Sequence, residues 1–419
     1  MLTLFAALVL AQNLAIEGGE YFAGDSMQPN RCIRISGEII QSIGRDRLPE
    51  DKVIDAHGKW IVPGLIDSHA HATFVPDEAG IDPTTLFPLY LKAGVTTLRD
   101  LGGDPVRTVA VARRNPNGPT IFAGSWFFES YGTTHAGPWS RLVRTDEEIE
   151  EAVADAKAKG VVTVKIYGQL HPVLAQRLAT AAKKAGLGTA CHPAFYSAVP
   201  LATDSIEHAS SVLDGCLPPG KSFTFANAAA IDLNSLEVRV AIETMRRNGT
   251  ALCPTLLAIG PGWRLMDNEA LREHPDNRII PKGLQRHWER TRTNGNLQPG
   301  ERVFREAYWK RCQALTLAVH QAGVPLIVGS DAPWAFLPPG LSMHREMELL
   351  VSIGIPPAEV LKGATINGAK VLRQNRLGAI GAERIADLLI LDGNPLADIR
   401  NTRKIVAVIH RGRLHTPTP

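Results

Sequence analysis

The chain has 419 residues, of which 44% are hydrophobic, and its 45 basic and 42 acidic side chains leave a net charge of +3. These charges are interspersed, with no long basic run and no interleaved aromatics, which argues against a nucleic-acid partner. Five cysteines, at positions 32, 191, 216, 253 and 312, form no Cys-x-x-Cys pair and are odd in number, which argues against a disulfide scaffold and a thiolate metal centre.

Residues 1–12 are apolar and uncharged, and too short to cross a bilayer. They read either as an export signal ending near Ala11, without the usual basic start, or as a first strand. Export to the periplasm is favoured over a cytoplasmic location, and no other stretch approaches a membrane span. Short alternating segments at 14–16, 32–35, 38–43 and 53–55 predict a small antiparallel sheet.

Between 60 and 373 the texture changes to alternating strand-like and helix-like pieces, the rhythm of parallel β/α units. Strands are expected at 61–67, 95–100, 120–124, 161–167, 188–192, 204–208, 250–256 and 325–330. Right-handed crossovers leave such a sheet doubly wound or close it, and eight strands favour a closed (β/α)8 TIM barrel. Thr145-Asp-Glu-Glu148 is a capping box opening a helix that runs to Lys159 and stops at Gly160. Helices over 174–185 and 235–247 end before Gly186 and Gly249. Long connections at 126–144 and 258–300 would emerge at the carboxyl ends of the strands, where lids and substrate walls form. The second carries Arg264, Arg272, Arg278, Lys282, Arg286, Arg290 and Arg292, which read as a solvated helical face or as an attractor of anions. At the C-terminus, strands over 386–392 and 404–410, followed by 411–413, return to the initial texture. Residues 1–59 and 374–419 are therefore expected to build one β-sandwich-like domain around a barrel spanning 60–373.

The candidate chemistry lies at strand ends. His69 and His71 are two residues apart, so both imidazoles share one face of the first strand. Lys165, His192, His208 and Asp331 each sit at or near the end of a further strand. Singly, each has an ordinary reading: a hydrogen-bonded core histidine, a helix cap, a snorkelling lysine. Together they converge where a (β/α)8 barrel keeps its active site. Cys191, beside His192, reads as a buried apolar residue on the opposite face. Arg99 and Asp100 are expected to form an ion pair beneath the site.

The motifs Val62-Pro-Gly-Leu-Ile-Asp-Ser-His-Ala-His71, Gly94-Val-Thr-Thr-Leu-Arg-Asp-Leu-Gly-Gly103, Val164-Lys-Ile166, Ser205-Ile-Glu-His208, Gly329-Ser-Asp-Ala332 and Ala386-Asp-Leu-Leu-Ile-Leu-Asp-Gly-Asn-Pro395 resemble those of the amidohydrolase superfamily. Within it, the chain is similar to the imidazolonepropionase-like and Xaa-Pro dipeptidase-like branch of metal-dependent hydrolases. The resemblance implies two divalent ions, zinc above others. His69, His71 and Asp331 would hold one, His192 and His208 the other, and Lys165 would bridge them as an N-carboxylated lysine. A cationic lysine cannot bridge two cations, whereas a carbamate offers oxygen.

A metal-bridging hydroxide would then attack an amide bond in a small substrate such as a dipeptide or N-acyl amino acid, with Asp331 as general base and acid. A cyclic amide, lactone or ester is the alternative substrate, and a non-catalytic scaffold is the reading from another class. His135, in Tyr131-Gly-Thr-Thr-His-Ala-Gly137, and Tyr196 are candidate donors to the substrate carbonyl, or else a loop histidine in water and a packed tyrosine. Homo-oligomer formation is left open.

The chain departs from its relatives at Cys191-His-Pro193, where many carry His-Ala-His-Gly, and at the bulkier 125–130 loop. Gly381-Ala-Glu-Arg-Ile-Ala-Asp387 also stands in place of the usual Gly-Lys before Ala-Asp.

Overall fold

A computed structural model describes residues 13–135, 137–193, 197, 199–264, 269–293 and 300–415, with the side chains of 264, 292 and 293 excepted. Residues 1–12, the proposed signal or strand, lie outside the described residues. Two compact units result, residues 1–64 with 376–419, and residues 65–375.

The smaller unit is all β, and its strands form two sheets. One sheet uses N-terminal strands alone, in the order Ile39–Ile43, Cys32–Ser36, Leu14–Glu17, Lys52–Asp55. In the other, Leu388–Leu391 is inserted antiparallel between Ile405–His410 and Trp60–Pro63. Both sheets turn an aliphatic face to the same core, with Ile16, Ile33 and Ile40 from the first and Ile61, Leu388 and Ile409 from the second all buried. Burying one face of each strand is what the alternating pattern requires.

The larger unit is mixed α/β with parallel strands in two arrays. Leu65–Ala70, Val95–Asp100 and Thr120–Phe122 form one. Gly124–Glu129, Thr163–Gly168, Gly188–Pro193, Ser205–Glu207 and Ala251–Cys253 run in order through the other, with Ser140–Leu142 on its edge. Among the described residues the sheets are open, and no closed eight-stranded ring is assigned.

Three expected strands differ in detail. The first divides at Gly64, since Trp60–Pro63 pairs in the smaller unit and Leu65–Ala70 in the larger. The third divides at Ala123, and Gly124 is required there by close approach, because an added Cβ would lie 2.3 Å from the Asp100 carbonyl oxygen. The eighth, 325–330, is hydrogen-bonded without regular strand pairing. Ile327 N donates to Leu252 O and Ser68 N to Val328 O, both at 2.9 Å, but Val328 N turns away to Gly363 O at 3.1 Å. Pro325 has no amide to offer.

Helix boundaries follow the local chemistry. Thr145 Oγ1 accepts from Glu148 N at 3.2 Å to start the helix Asp146–Ala158, and the Glu148 carboxylate accepts from Arg144 N at 2.6 Å. The helix Pro172–Lys184 begins earlier than expected because Pro172 suits a first helical position. Leu236–Asn248 ends at Gly249, left-handed at φ +67°. In the helix Lys282–Thr293, Lys282, Arg286 and Arg290 are exposed while Leu284 and Trp288 are buried, so these charges form a solvated face. No described helix is long and apolar enough to cross a membrane.

Candidate metal centre

The first three donors are held by main-chain stitching between two neighbouring segments. Asp331 N donates to His69 O at 2.7 Å, and His71 N donates to Ala332 O at 2.8 Å. Asp67 adds a side-chain clasp, accepting from His69 N at 3.2 Å and Ser330 N at 2.9 Å. Its carboxyl is pushed up to about 6, chiefly by burial. The Asp331 carboxylate thereby lies 3.1 Å from His71 Nε2 and 3.4 Å from His69 Nε2. Asp331 adopts φ +61°, an uncommon conformation for a non-glycine residue and one found most often where function demands it.

Lys165, His192 and His208 line the same cavity as His69, His71 and Asp331, so the six expected donors converge. The His192 and His208 ring centres are 4.2 Å apart, and those of His69 and His208 4.7 Å. His208 follows the strand Ser205–Glu207 at φ +67°, with its amide on Cys253 O at 2.8 Å and its Nδ1 2.6 Å from Thr255 Oγ1. Burial, seconded by neighbouring cationic groups, holds His69 and His208 well below the ordinary imidazole value, so both are neutral and able to donate a lone pair.

Lys165 is 1% exposed, and its Nζ has no hydrogen-bond partner. Burial lowers its pKa, which favours the uncharged amine. Neutral imidazoles, one carboxylate and an unpaired buried amine fit divalent cations with nitrogen and oxygen preferences.

A second grouping, His69 with Glu207 and Cys253, brings potential ligand atoms together but is already committed. Glu207 accepts from His69 Nδ1 at 2.9 Å and from Arg99 Nη2 at 2.6 Å, and the Cys253 thiol is pushed well above its ordinary value by burial. The expected Arg99–Asp100 pair is therefore corrected. Adjacent strand residues face opposite ways, so Arg99 meets Glu207, Ser205 and the Ser68 carbonyl, while Asp100 accepts from Ala72 N at 2.7 Å.

Against the donors stands an aromatic wall, with a cavity of about 220 Å³ between. His135 Nε2 is 3.2 Å from the Tyr167 hydroxyl, and burial pulls this histidine down to about 4. Tyr196, the other expected carbonyl donor, lies outside the described residues. Tyr167 was not singled out in the sequence, although it follows Lys165 by two and so shares its strand face. Glu207 escaped notice for the opposite reason: strict alternation turns it away from His208, and it meets the site only behind His69, through that residue's Nδ1. All five cysteines are buried and outside any disulfide, Cys191 among them.

Residues 60–414 match the description "Amidohydrolase family". An imidazolonepropionase from Anaeromyxobacter dehalogenans is 25% identical, the alignment covering 99% of this chain and 97% of that protein. Among solved structures, a Xaa-Pro dipeptidase with bound methionine in its active site superposes with TM-score 0.70 at 21% identity, over 97% of this chain and 100% of that one. A prolidase complexed with N-methylphosphonate-L-proline gives TM-score 0.72 at 21% identity, with the same coverage.

Proposed function

Because the chain belongs to the amidohydrolase family, we propose that it hydrolyses the peptide-type C–N bond of a small substrate, a dipeptide or N-acyl amino acid, at a centre of two divalent ions. The observation that carries this reading is the convergence of His69, His71, Lys165, His192, His208 and Asp331 on one cavity. His69, His71 and Asp331 would hold one ion and His192 and His208 the other, with zinc suited to the nitrogen-rich set. Lys165 would join them as a carbamate: its uncharged amine adds to carbon dioxide, forms a C–N bond and loses a proton, so an unpaired buried nitrogen becomes a paired carboxylate.

When bound, such ions acidify water and polarise a carbonyl oxygen. The protein's own groups do the rest. Asp331, the one carboxylate among the six, takes the proton from the attacking water and returns it to the leaving amine. His135 and Tyr167, 3.2 Å apart, orient the substrate carbonyl and hold a proton near the developing oxyanion. The rings of the wall exclude water from the reacting atoms.

The same reading joins the two parallel arrays into one (β/α)8 barrel over 60–373, with the site at the carboxyl ends of its strands. Isolated parallel bridges at Leu252–Leu326 and Ala70–Ala332 support it, since they link both arrays through the eighth segment.

A cyclic amide, lactone or ester is the second reading, favoured by the imidazolonepropionase relative. The deciding experiment is a hydrolysis screen of zinc- and manganese-loaded protein against dipeptides, N-acyl amino acids and cyclic amides. Release of free amine from the linear substrates is expected; turnover of the cyclic set alone selects the second reading, and no turnover of any rejects both.

A further inference from the structure

We propose that the cavity beside the metal centre is built to take an uncharged aromatic or bulky apolar group flanking the scissile amide. This inference rests on the amide-hydrolase reading and narrows its substrate class.

The wall is a box of rings. Phe74 stands at its centre, 5.3 Å from Phe127, 4.7 Å from His135 and 6.3 Å from Trp334, the last nearly parallel at 16°. Tyr167 packs 4.5 Å from Phe127 on one side, and Trp263 lies 4.9 Å from His208 on the other. Centroid spacings of this order, edge-on or offset, are those at which rings attract one another, so the box holds its shape without a ligand.

Its charges are spoken for. Among the described lining residues, the one lysine and the one carboxylate are Lys165 and Asp331, both assigned to the centre, and His135 is kept neutral in the physiological range. A carboxylate would be drawn to the ions themselves, where the scissile carbonyl must lie, and on the wall side it would face electron-rich ring surfaces with no described arginine lining the cavity. An ammonium would be drawn to those rings but stands beside a centre that holds divalent cations. An uncharged group meets neither penalty. Size sets a bound: an apolar cavity of roughly 150 Å³ takes benzene, and the cavity of about 220 Å³ is shared with the centre's ions and the amide, so it has room for a single ring rather than a larger group.

The test is a matched series on the zinc-loaded protein. N-phenylacetylglycine, N-acetylglycine, N-succinylglycine and glycylglycine vary the acyl side, and N-acetylbenzylamine against N-acetylglycine varies the amine side. The inference expects the compound whose varied group is an uncharged ring to exceed acetylglycine by about tenfold or more in kcat/KM on at least one side of the amide, with the succinyl and glycyl members at or below it. Preference for a compound whose varied acyl group is charged, or no preference for the ring on either side, overturns it.

Trp334→Ala, at a half-buried position, should bring the aromatic-to-acetyl ratio toward one. If no amide is hydrolysed, the functional reading fails, and calorimetric binding of phenylacetamide, acetamide, phenylacetate and benzylammonium still decides the pocket. Tightest binding of phenylacetamide upholds the inference, and any other order rejects it.

Discussion

His69 Nδ1 lies 2.9 Å from Glu207 Oε2, and the other oxygen of that carboxylate takes Arg99 Nη2 at 2.6 Å, all three side chains at most 1% exposed. A carboxylate only accepts, so Nδ1 carries the proton and Nε2 is left free, directed at Asp331. Glu207 is thus a positioning residue that selects the histidine tautomer a metal needs.

Replacing it tests this directly. Glu207→Gln should weaken metal binding by about 10- to 100-fold, measured by chelator competition, and should destabilise the fold by about 3–5 kcal/mol because the buried Arg99 loses its counter-charge. Unchanged metal affinity with lowered stability would reduce Glu207 to a purely structural role.

Lys165→Ala should remove the bridge between the two ions. Bound metal is expected to fall from two toward one per chain by elemental analysis, and kcat/KM to drop by more than about 100-fold. A short carboxylic acid added to the variant should restore part of the activity by standing in for the carbamate. Full activity and two ions in the variant would sink the two-metal proposal.

Gly329 makes a packing prediction. A Cβ there would lie 2.6 Å from His69 Cβ and 2.7 Å from His69 N, and neither atom can swing aside. Gly329→Ala should therefore cost about 1–3 kcal/mol in denaturant unfolding and weaken metal binding, although residue 329 touches no ligand atom. Wild-type metal affinity in this variant would mean that His69 tolerates displacement.

The protonation of His135 gives a pH signature. Burial holds its folded pKa at about 4 against the ordinary 6.5, so its contribution to stability is present above 6.5 and is lost as pH falls toward 4. Asp100 and Glu346, pushed up by burial to about 6 and about 7, work in the opposite sense, their contribution being lost as pH rises through those values. The His135 share is therefore read as the difference between wild type and His135→Gln, which should shrink from pH 6.5 to 4. An imidazole NMR titration with its midpoint above 6 would contradict the assignment.

That His69, His71, Lys165, His192, His208 and Asp331 share one cavity was legible in the sequence because strand alternation and strand-end position are local properties, written in short stretches such as Ile61–His71. The parallel α/β rhythm, the Thr145 capping box and the solvated arginine face were legible for the same reason: period and capping depend on neighbours within a few residues. Partnerships between distant segments are another matter.

Arg99 meets Glu207, 108 residues away, rather than Asp100 beside it. The C-terminal strand Leu388–Leu391 pairs directly with Trp60–Pro63 and reaches the N-terminal strand Glu20–Phe22 only through it. Phe74, Phe127, Tyr167, Trp263 and Trp334, scattered through the chain, become one lining. Each of these is a choice among many sterically acceptable contacts, decided by which apolar and charged surfaces can be buried together once the strands are in register. The amino-acid order by itself determined which side chains stand at strand ends; the tertiary structure decided which of them share a cavity, which buried partners they meet, and which rings stand against them.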